Sequence, residues 1–426
     1  LIERLGSRRM RFSLFLVLLW SAIATLAVAQ NQVVAADGVT LMYNQPSAVH
    51  FQGTKNLTYF GWVNSVGEVY LRTYDHSNSL FDTARKIRTW TGPDDHAAPA
   101  LHVVQHGPRT GTLLVAGAFH SSPLTIQSSV GPESTQMNLQ TTINSRPNTY
   151  PRFAETANGT IFLFTRGHPT VNPSSRGLMH MYKSTNGGVS WSGPKTIVTW
   201  SPNTFIYAGP VRSYGNKIGV AFGIYNNVSR RYLPDVYLIE SSDGGGTWST
   251  PMGGAPTNSI GANIAPIRRS TWGAQARVWD LIYDPQGRSS VAHVEYSSEY
   301  SAVPNSSLCY GYVNQFKGSY WATRTVSQIA MNYYSAGLVF DSSDPFRVFA
   351  SVPLGGNGSD LAIFDAPSPG GTWVRGQTIA TGGYAVRPQA VANAAPDLKI
   401  TWLDSRAYSD YRVWDTSVMA HLGVLP

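Results

Sequence analysis

Ser184-Thr-Asn-Gly-Gly-Val-Ser-Trp191 and Ser241-Ser-Asp-Gly-Gly-Gly-Thr-Trp248 share the pattern Ser-x-Asp/Asn-Gly-Gly-x-Ser/Thr-Trp, and their tryptophans stand 57 residues apart. In such a segment Asp or Asn caps its own turn, the glycines supply positive φ, and the tryptophan closes over a hairpin. Ser368-Pro-Gly-Gly-Thr-Trp373 is a degenerate third copy. The pattern therefore predicts a strand-turn-strand unit that recurs along the chain, with Asn186 and Asp243 in structural roles.

The composition favours β-structure in the rest of the chain. Charged residues are only 13% of the 426, whereas aromatic residues are 12% and there are 40 glycines and 26 prolines. This mixture is typical of short strands joined by tight turns, and no helical apolar period is evident past residue 30. A repeat of about 50 residues is the length of a four-stranded propeller blade. We therefore predict an all-β fold, a single-domain β-propeller.

Strand runs between turn clusters divide this domain into seven predicted blades. The segment Gly38-Val-Thr-Leu-Met-Tyr43 is expected to add an outer strand to the last blade and so to close the ring. The predicted blades span residues 44–90, 96–140, 148–198, 205–250, 275–326, 333–378 and 384–421.

The N-terminus has the features of a secretory signal peptide. A cluster of arginines precedes the apolar run from Phe12 to Trp20, and Ala27-Val28-Ala29 offers small residues for cleavage. The run is short for the competing interpretation, a membrane anchor. We therefore expect residues 1–29 to be removed, residues 30–426 to form the propeller catalytic domain, and the mature protein to be secreted and extracellular.

The charge distribution favours an acidic polysaccharide over a nucleic acid as partner. The formal net charge is +8, but the lysines and arginines are spread out and form no block like a nucleic-acid-binding arm. We also expect no membrane partner and a monomeric state.

The cysteine count and the sequons agree with export of a large domain that has no disulfide bonds. Cys309 is the only cysteine, so no intrachain disulfide forms, and its apolar-aromatic neighbours indicate a buried strand thiol. Asn-x-Ser/Thr tripeptides in an exported chain favour a glycoprotein. Five such sequons begin at Asn56, Asn158, Asn227, Asn305 and Asn357.

Polar and ionisable groups recur at the strand edges of successive predicted blades, where inner propeller strands meet the central channel. Asp94-Asp-His96 precedes one apolar run, and Leu113-Leu-Val-Ala-Gly-Ala-Phe-His120 ends another with a histidine. Asn148-Thr-Tyr150-Pro-Arg152 and Thr160-Ile-Phe-Leu-Phe-Thr-Arg166 follow in the third predicted blade. Tyr207 and Arg212 then open the fourth. The candidate site residues are His96, His120, Tyr150, Arg166, Tyr207 and Arg212.

In their order and spacing, these segments and the hairpins resemble the BNR-repeat, sialidase-like propellers, a family that includes ulvan lyases and rhamnose-glucuronate lyases. The resemblance implies a polysaccharide lyase that cleaves beside a glucuronate-type residue, with rhamnose as the neighbouring sugar. It assigns proton transfer to His96, His120 and Tyr150, leaving open which histidine is the base. It assigns the substrate carboxylate to Arg166, sixteen residues after Tyr150, and a supporting position to Tyr207.

These residue types suit β-elimination. The reaction removes a weakly acidic C5 proton beside a carboxylate, so an arginine such as Arg166 would stabilise the developing charge. A histidine accepts a proton near neutral pH, and Tyr150 relays one to the leaving oxygen. Each residue also has a structural alternative: His96 anchoring a loop, His120 ending a strand, and Tyr150 packing as an extended residue before proline. Arg166 ends an apolar strand and therefore needs a partner or a cavity.

Two other functions remain open from the sequence. A glycoside hydrolase, of rhamnosidase or sialidase type, commonly needs two carboxylates, for which Asp280, Glu295 and Asp404 are the candidates. The Arg-Ile-Pro segment of sialidases is absent. A carbohydrate-binding propeller without catalysis would use the same aromatic and basic residues. No cofactor is required, no metal cluster is predicted from cysteine or histidine spacing, and a structural calcium ion stays open.

Overall fold

The computed structural model describes residues 30–167, 176–270, 275–296, 309–330, 337–354 and 358–426. The predicted signal peptide, residues 1–29, lies outside the described residues, as do the sequons at Asn305 and Asn357. Within the described ranges the chain forms thirty β-strands and one short 3-10 helix, Asp95–Ala97. The prediction of an all-β fold is therefore confirmed.

The strands follow one another with few interruptions. The first fifteen are β1 Gln30–Ala35, β2 Ala48–Gln52, β3 Asn56–Val63, β4 Glu68–Asp75, β5 Leu80–Phe81, β6 Arg85–Thr89, β7 Ala100–Val103, β8 Thr112–Gly117, β9 Ser122–Pro132, β10 Thr141–Glu155, β11 Ile161–Gly167, β12 Arg176–Ser184, β13 Ser192–Pro202, β14 Thr204–Tyr214 and β15 Lys217–Asn226. The others are β16 Arg231–Ser241, β17 Trp248–Thr250, β18 Gly253–Thr257, β19 Arg268–Arg269, β20 Gln275–Tyr283, β21 Ser289–Tyr296, β22 Cys309–Phe316, β23 Trp321–Gln328, β24 Leu338–Asp341, β25 Asp344–Pro353, β26 Ser359–Asp365, β27 Val374–Gly383, β28 Ala385–Ala395, β29 Leu398–Asp410 and β30 Val413–Leu422.

The strands form antiparallel meanders whose first members meet around a common axis. The orders β20-β21-β22-β23 and β24-β25-β26-β27 are simple four-stranded examples. The first strands of successive meanders contact each other in turn, in the order β2, β7, β10, β14, β20, β24 and β28, and β28 returns to β2. This closed ring is propeller-like. Its mouth is defined here as the end at which β2, β7 and β14 begin.

The ring closes through a different segment from the one predicted. β1 pairs antiparallel with β30, with Gln30 opposite Leu422 and Val33 opposite Met419. The predicted closing segment, residues 38–43, instead makes a single bridge, Val39 to Val63, and is buried. An outer strand is exposed to solvent along one edge, so some of its residues must lie in contact with water. β1 has exposed residues and the 38–43 segment has none, so the prediction was wrong.

The two full hairpin motifs have the predicted turn structure. Asp243 Oδ1 accepts hydrogen bonds from Ser241 Oγ at 2.8 Å and from the Thr247 amide at 2.9 Å. Gly244 has a φ of +70°, which glycine adopts without steric cost. Trp248 is fully buried over the turn. Because β14, β15 and β16 alternate in direction, this turn lies at the end of the ring away from the mouth, as expected for a structural element.

Hydrophobic packing fills the space between adjacent meanders. Cys309 is buried on β22 within the largest apolar cluster, as predicted, and burial raises the pKa of its thiol to about 12. The apolar core thus lies between the meanders around the ring.

Candidate functional site

The site begins with a one-turn helix that places His96 at the start of β7. Asp94 caps this turn in an extended conformation, and its Oδ1 accepts a hydrogen bond from the His96 amide at 2.9 Å. Such caps are common because a carboxylate satisfies an amide that the first turn leaves unpaired. The Asp95 amide donates to the Tyr411 carbonyl at 2.8 Å, which ties the turn to the end of β29.

The imidazole of His96 lies between two aspartates and a tyrosine. Its Nδ1 is 2.6 Å from Asp94 Oδ1 and 3.0 Å from Asp95 Oδ1, and its Nε2 is 3.0 Å from the Tyr150 hydroxyl. Burial disfavours the charged ring, but the two carboxylates outweigh burial and raise the pKa of His96 to about 9. At neutral pH the ring is an imidazolium whose Nε2–H donates to the Tyr150 oxygen.

His120 stacks on His96 but has the opposite electrostatic character. The ring centroids are 4.1 Å apart with an interplanar angle of 13°, and His120 Nδ1 is 3.7 Å from Asp94 Oδ2. Burial lowers the pKa of His120, and the positive charges of His96 and Arg166 lower it further against the effect of Asp94. Its side chain keeps 35% of its surface exposed. The pair therefore combines a charged, buried ring with a neutral, accessible one.

Tyr150 enters the site through an irregularity in β10. It has a φ of +62°, and the pairing of β10 with β11 shifts register between Thr149 and Arg152. Positive φ is rare for an aromatic residue and indicates a conformation that surrounding structure imposes. Arg152 supplies part of that constraint, because its Nη1 donates to the Tyr150 carbonyl at 2.9 Å and its Nη2 to the Ala208 carbonyl at 2.7 Å. Bulges of this type redirect side chains near functional sites.

Arg166 lies in a cage of aromatic rings. Its guanidinium carbon is 4.4 Å from the ring centre of Tyr150, 5.0 Å from Tyr207 and 5.1 Å from Phe205. Burial disfavours ionisation of Tyr207, but Arg166 and then His96 outweigh it and lower the pKa of that phenol. Burial and the neighbouring Tyr207 raise the pKa of Tyr150. The requirement that Arg166 have a partner or cavity is thus met by an electron-rich cage that keeps the guanidinium charged.

Five of the six predicted residues meet in this cluster and one does not. Arg212 lies toward the far end of β14, where its Nη2 is 3.0 Å from Asp280 Oδ1 and its Nε donates to the Leu281 carbonyl at 3.0 Å. It lines a separate cavity of about 230 Å³ together with Tyr214 and Asn393. The structure therefore links Arg212 to neighbouring strands rather than to the histidine pair.

Two of the three carboxylates considered for a hydrolase are engaged elsewhere. Asp280 Oδ1 is bonded to Arg212, and its Oδ2 accepts the Phe340 amide at 3.0 Å. Glu295 Oε1 is 2.9 Å from Arg268 Nε and 3.0 Å from His293 Nε2. Both carboxylates are buried, so they act as bridges between strands.

The structure adds residues to which the sequence assigned no role. Tyr43, from the segment predicted to be a strand, packs 5.0 Å from both Tyr150 and Tyr207. Tyr411 presents its ring to His96 and His120 at 5.3 and 5.5 Å. The contacts of both tyrosines join segments that lie far apart in the chain, so they depend on the fold and not on a local sequence pattern.

A second layer holds Asp95 in place. Arg387 Nη1 is 3.2 Å from Asp95 Oδ2, and the Tyr408 hydroxyl donates to the same oxygen. Arg387 is 1% exposed and has a φ of +50°. Asp95 therefore joins the His96 turn to β28 and β29.

The donor atoms of Asp94, His96 and His120 lie within 4.8 Å of one another, a spacing that would suit a metal ion. The Nδ1 of His96 already faces Asp94 and Asp95, and its Nε2 faces the Tyr150 hydroxyl, so both ring nitrogens are engaged within the protein. We therefore assign no metal to this group.

The fold and the site define a propeller-like all-β protein with a histidine-tyrosine-arginine cluster at the mouth of its ring. The model of the BNR repeat-containing family matches residues 57–329. The chain belongs to this BNR-repeat family, as its sequence motifs predicted.

Solved structures share the fold over nearly the whole chain. A polysaccharide lyase described as an ulvan lyase, solved with -[GlcA(1-4)Rha3S]- bound, is 15% identical with a TM-score of 0.70, covering 91% of this chain and 95% of that one. The polysaccharide lyase Uly1 is 14% identical with a TM-score of 0.62, covering 92% of this chain and 98% of that one. No curated protein matches the chain. Within the described residues, no helix is both long and apolar enough to span a membrane.

Proposed function

We propose that the protein is a polysaccharide lyase that cleaves by β-elimination beside a glucuronate-type residue, in a polymer that also contains rhamnose. The observation that carries this proposal is the single cluster in which His96 Nε2 lies 3.0 Å from the Tyr150 hydroxyl, with the Arg166 guanidinium 4.4 Å from the Tyr150 ring centre. The fold shared with an ulvan lyase bound to a glucuronate-rhamnose oligosaccharide supports the same reaction class.

Arg166 and its aromatic cage are suited to the first requirement of the reaction. The uronate carboxylate would lie against the guanidinium, which withdraws charge from C5 and stabilises the enolate-like state as the C5 proton leaves. Arginine presents a rigid fork that matches a carboxylate. The cage keeps the guanidinium in a low-dielectric environment, where this interaction is stronger than in water.

The two histidines divide the proton transfers. His120 is neutral and accessible, so it takes the C5 proton, and the electron pair of that C–H bond forms the C4=C5 double bond as the C4–O4 bond breaks. Tyr150 is protonated and donates its proton to the departing O4. His96 then returns a proton to Tyr150 through the existing hydrogen bond and regains one from solvent, and His120 releases its proton to solvent. His96, His120 and Tyr150 thus act as one catalytic group, and Tyr207 helps Arg166 to bind substrate.

The proposal also covers the number of blades, the bounds of the catalytic domain, export, glycosylation, the oligomeric state and cofactors. We propose that the ring of first strands corresponds to seven blades and that residues 30–426 form the catalytic domain. We propose export by cleavage of the first 29 residues, glycosylation at exposed sequons such as Asn227, and a monomer that needs no cofactor. A structural calcium ion can be tested by chelation.

Product analysis tests the proposed reaction. The purified protein is incubated with ulvan, gum arabic and other uronate polymers, and the masses of the products are measured by mass spectrometry. Elimination yields a new non-reducing end that is lighter by one water molecule than the product of hydrolysis, and we expect that product. Hydrolytic products would overturn the proposal in favour of a glycosidase, and tight binding without cleavage would favour a carbohydrate-binding propeller.

A further inference from the structure

We propose that Arg88, together with Trp90 and Phe119, forms a second subsite that binds an anionic group on another sugar of the same polysaccharide chain. This inference rests on the proposed function, because it assumes that the substrate is a charged polymer bound across the mouth. The shared chemistry is a carboxylate or a sulfate ester, and both groups occur in the repeat -[GlcA(1-4)Rha3S]- bound by the similar ulvan lyase.

Arg88 is a partly buried cation without an anionic partner among the described residues. Its Nη2 donates to Gln127 Oε1 at 3.0 Å, whereas its Nε is buried and has no hydrogen-bond partner within the described ranges. Burial lowers its pKa to about 10, so the guanidinium remains charged at neutral pH. Desolvating a charge without an opposite charge nearby is costly. An anionic ligand would supply the missing charge.

The surroundings of Arg88 are those of a sugar-binding surface. Its guanidinium carbon is 4.9 Å from the ring centre of Trp90, and the Trp90 ring is 5.6 Å from that of Phe119. Trp90 and Phe119 are both partly exposed. A half-exposed aromatic pair beside a cation offers an apolar face for a sugar ring and a charge for its substituent.

This surface is continuous with the proposed catalytic site. Phe119 directly precedes His120, and Trp90 lies four residues before Asp94 in the segment that leads to the His96 turn. β6 runs toward the mouth, because β2, β3, β4 and β6 alternate in direction. Gly117 packs against the guanidinium and lies three residues before His120, which places it at most roughly 10 Å away, the length of three extended residues. That separation suits a neighbouring sugar of the bound polymer.

Gly117 also shows that the backbone makes room for Arg88. A Cβ atom at this position would collide with Nη1 of Arg88 and would lie 3.6 Å from the Trp90 ring. The close approach of backbone and guanidinium is therefore available only with glycine. Gly117→Ala is a second variant that displaces the guanidinium without removing its charge.

Equilibrium binding of oligosaccharides to the mature protein tests the subsite. The probes are ulvan oligosaccharides and their chemically desulfated counterparts, measured by calorimetry in a Tyr150→Phe background that prevents turnover. The test variants are Arg88→Met, Arg88→Lys and Gly117→Ala. Arg85→Met is the matched control, because Arg85 is exposed on the same strand and its loss changes the net charge equally. Thermal unfolding confirms that each variant is folded.

We expect Arg88→Met to weaken binding roughly tenfold, as for the loss of a charge-assisted hydrogen bond. Arg88→Lys and Gly117→Ala should lose less, and Arg85→Met should stay within about twofold of the parent protein. If desulfation removes the effect of Arg88→Met, the anion is the sulfate; if the effect persists, it is a carboxylate. Equal binding by Arg88→Met and Arg85→Met would overturn the subsite.

The binding assay needs no catalysis, so the two proposals fail separately. Arg88-dependent binding without an unsaturated product would refute the lyase and keep the subsite. An unsaturated product that forms equally fast with Arg88→Met at low substrate concentration would keep the lyase and refute the subsite.

Discussion

At the scale of single residues, the site depends on two stacked histidines that are held in different protonation states. His96 is charged because Asp94 and Asp95 both bind its Nδ1. His120 is kept neutral by burial and by the positive charges of His96 and Arg166. Neighbouring groups whose pKa values are driven apart are typical of acid-base pairs in enzymes. In the proposed mechanism this division assigns the role of base to His120, a choice that the sequence alone left open.

Replacement of Arg166 tests the carboxylate-binding role. Arg166→Ala should lower kcat/KM for a uronate polymer roughly 10²- to 10³-fold, the usual cost of removing one preorganised charge-stabilising group. Arg212→Ala is the matched control, because Arg212 lies outside the cluster and bonds Asp280. Steady-state kinetics and circular dichroism on both variants check the prediction. Wild-type turnover by a folded Arg166→Ala protein would remove Arg166 from the mechanism.

The pH dependence of kcat/KM tests the role of His96. Its pKa is raised to about 9, so the charged form that donates to Tyr150 is present below that value and is lost as the pH rises through it. We expect an alkaline limb near pH 9. Asp94→Asn removes a carboxylate that stabilises the imidazolium, so the limb should move to lower pH. A limb that does not move in this variant would mean that His96 does not control the rate.

Sequence reasoning named most of the side chains that meet in the cluster but not the groups that shift their pKa values. His96, His120, Tyr150, Arg166 and Tyr207 lie together because the segments that carry them meet at the mouth of the ring. The contacts that Asp94 Oδ1 and Asp95 Oδ1 make with His96 depend on a three-residue helix. Arg212 lies outside the cluster because its position along β14 pairs it with Asp280, a partner 68 residues away. Such long-range pairings are not evident in local patterns.

At the scale of elements, the local sequence determines the structure of the hairpins but not that of the irregular strands. The Ser241–Trp248 turn formed as predicted, because its hydrogen bonds and positive-φ glycines all lie within eight residues. The bulge at Tyr150 was not predicted. It depends on Arg152, which reaches the Ala208 carbonyl on the next ring strand. A one-residue register change of this kind redirects side chains and needs the tertiary context to be seen.

The hairpins should affect stability and not turnover. Asp243→Ala removes the acceptor for Ser241 Oγ and the Thr247 amide, so we expect a loss of about 1 kcal/mol in the free energy of unfolding. kcat should change by less than about twofold, because the turn lies away from the mouth. Chemical denaturation and steady-state kinetics measure the two effects. A large loss of kcat without a loss of stability would place Asp243 in the functional machinery.

At the scale of the whole molecule, the ring is closed by pairing the first described strand with the last. β1 and β30 hold the two ends of the propeller together, and β28 contacts β2 at the same junction. The sequence correctly predicted closure by an N-terminal segment but chose residues 38–43. That segment is more apolar than β1, and the fold uses it to fill the core beneath the mouth, which includes Tyr43.

Two adjacent valines in β1 give a matched test of ring closure. Val34 is 1% exposed and Val33 is 47% exposed. Val34→Asp should lower the free energy of unfolding by roughly 3 kcal/mol or more, because it buries a carboxylate without a partner. Val33→Asp should stay within about 0.5 kcal/mol of wild type. Denaturant unfolding compares the two, and equal stability of both variants would mean that β1 contributes little to closure.

The absorbance of the unsaturated product is the most direct test of the central claim that this cluster performs β-elimination. The C4=C5 double bond conjugated to the uronate carboxylate absorbs at about 235 nm. The absorbance therefore records formation of the elimination product continuously. We predict a rising signal when the wild-type protein is mixed with ulvan, and a nearly flat one with Arg166→Ala. New reducing ends that accumulate without any rise in absorbance would contradict the account.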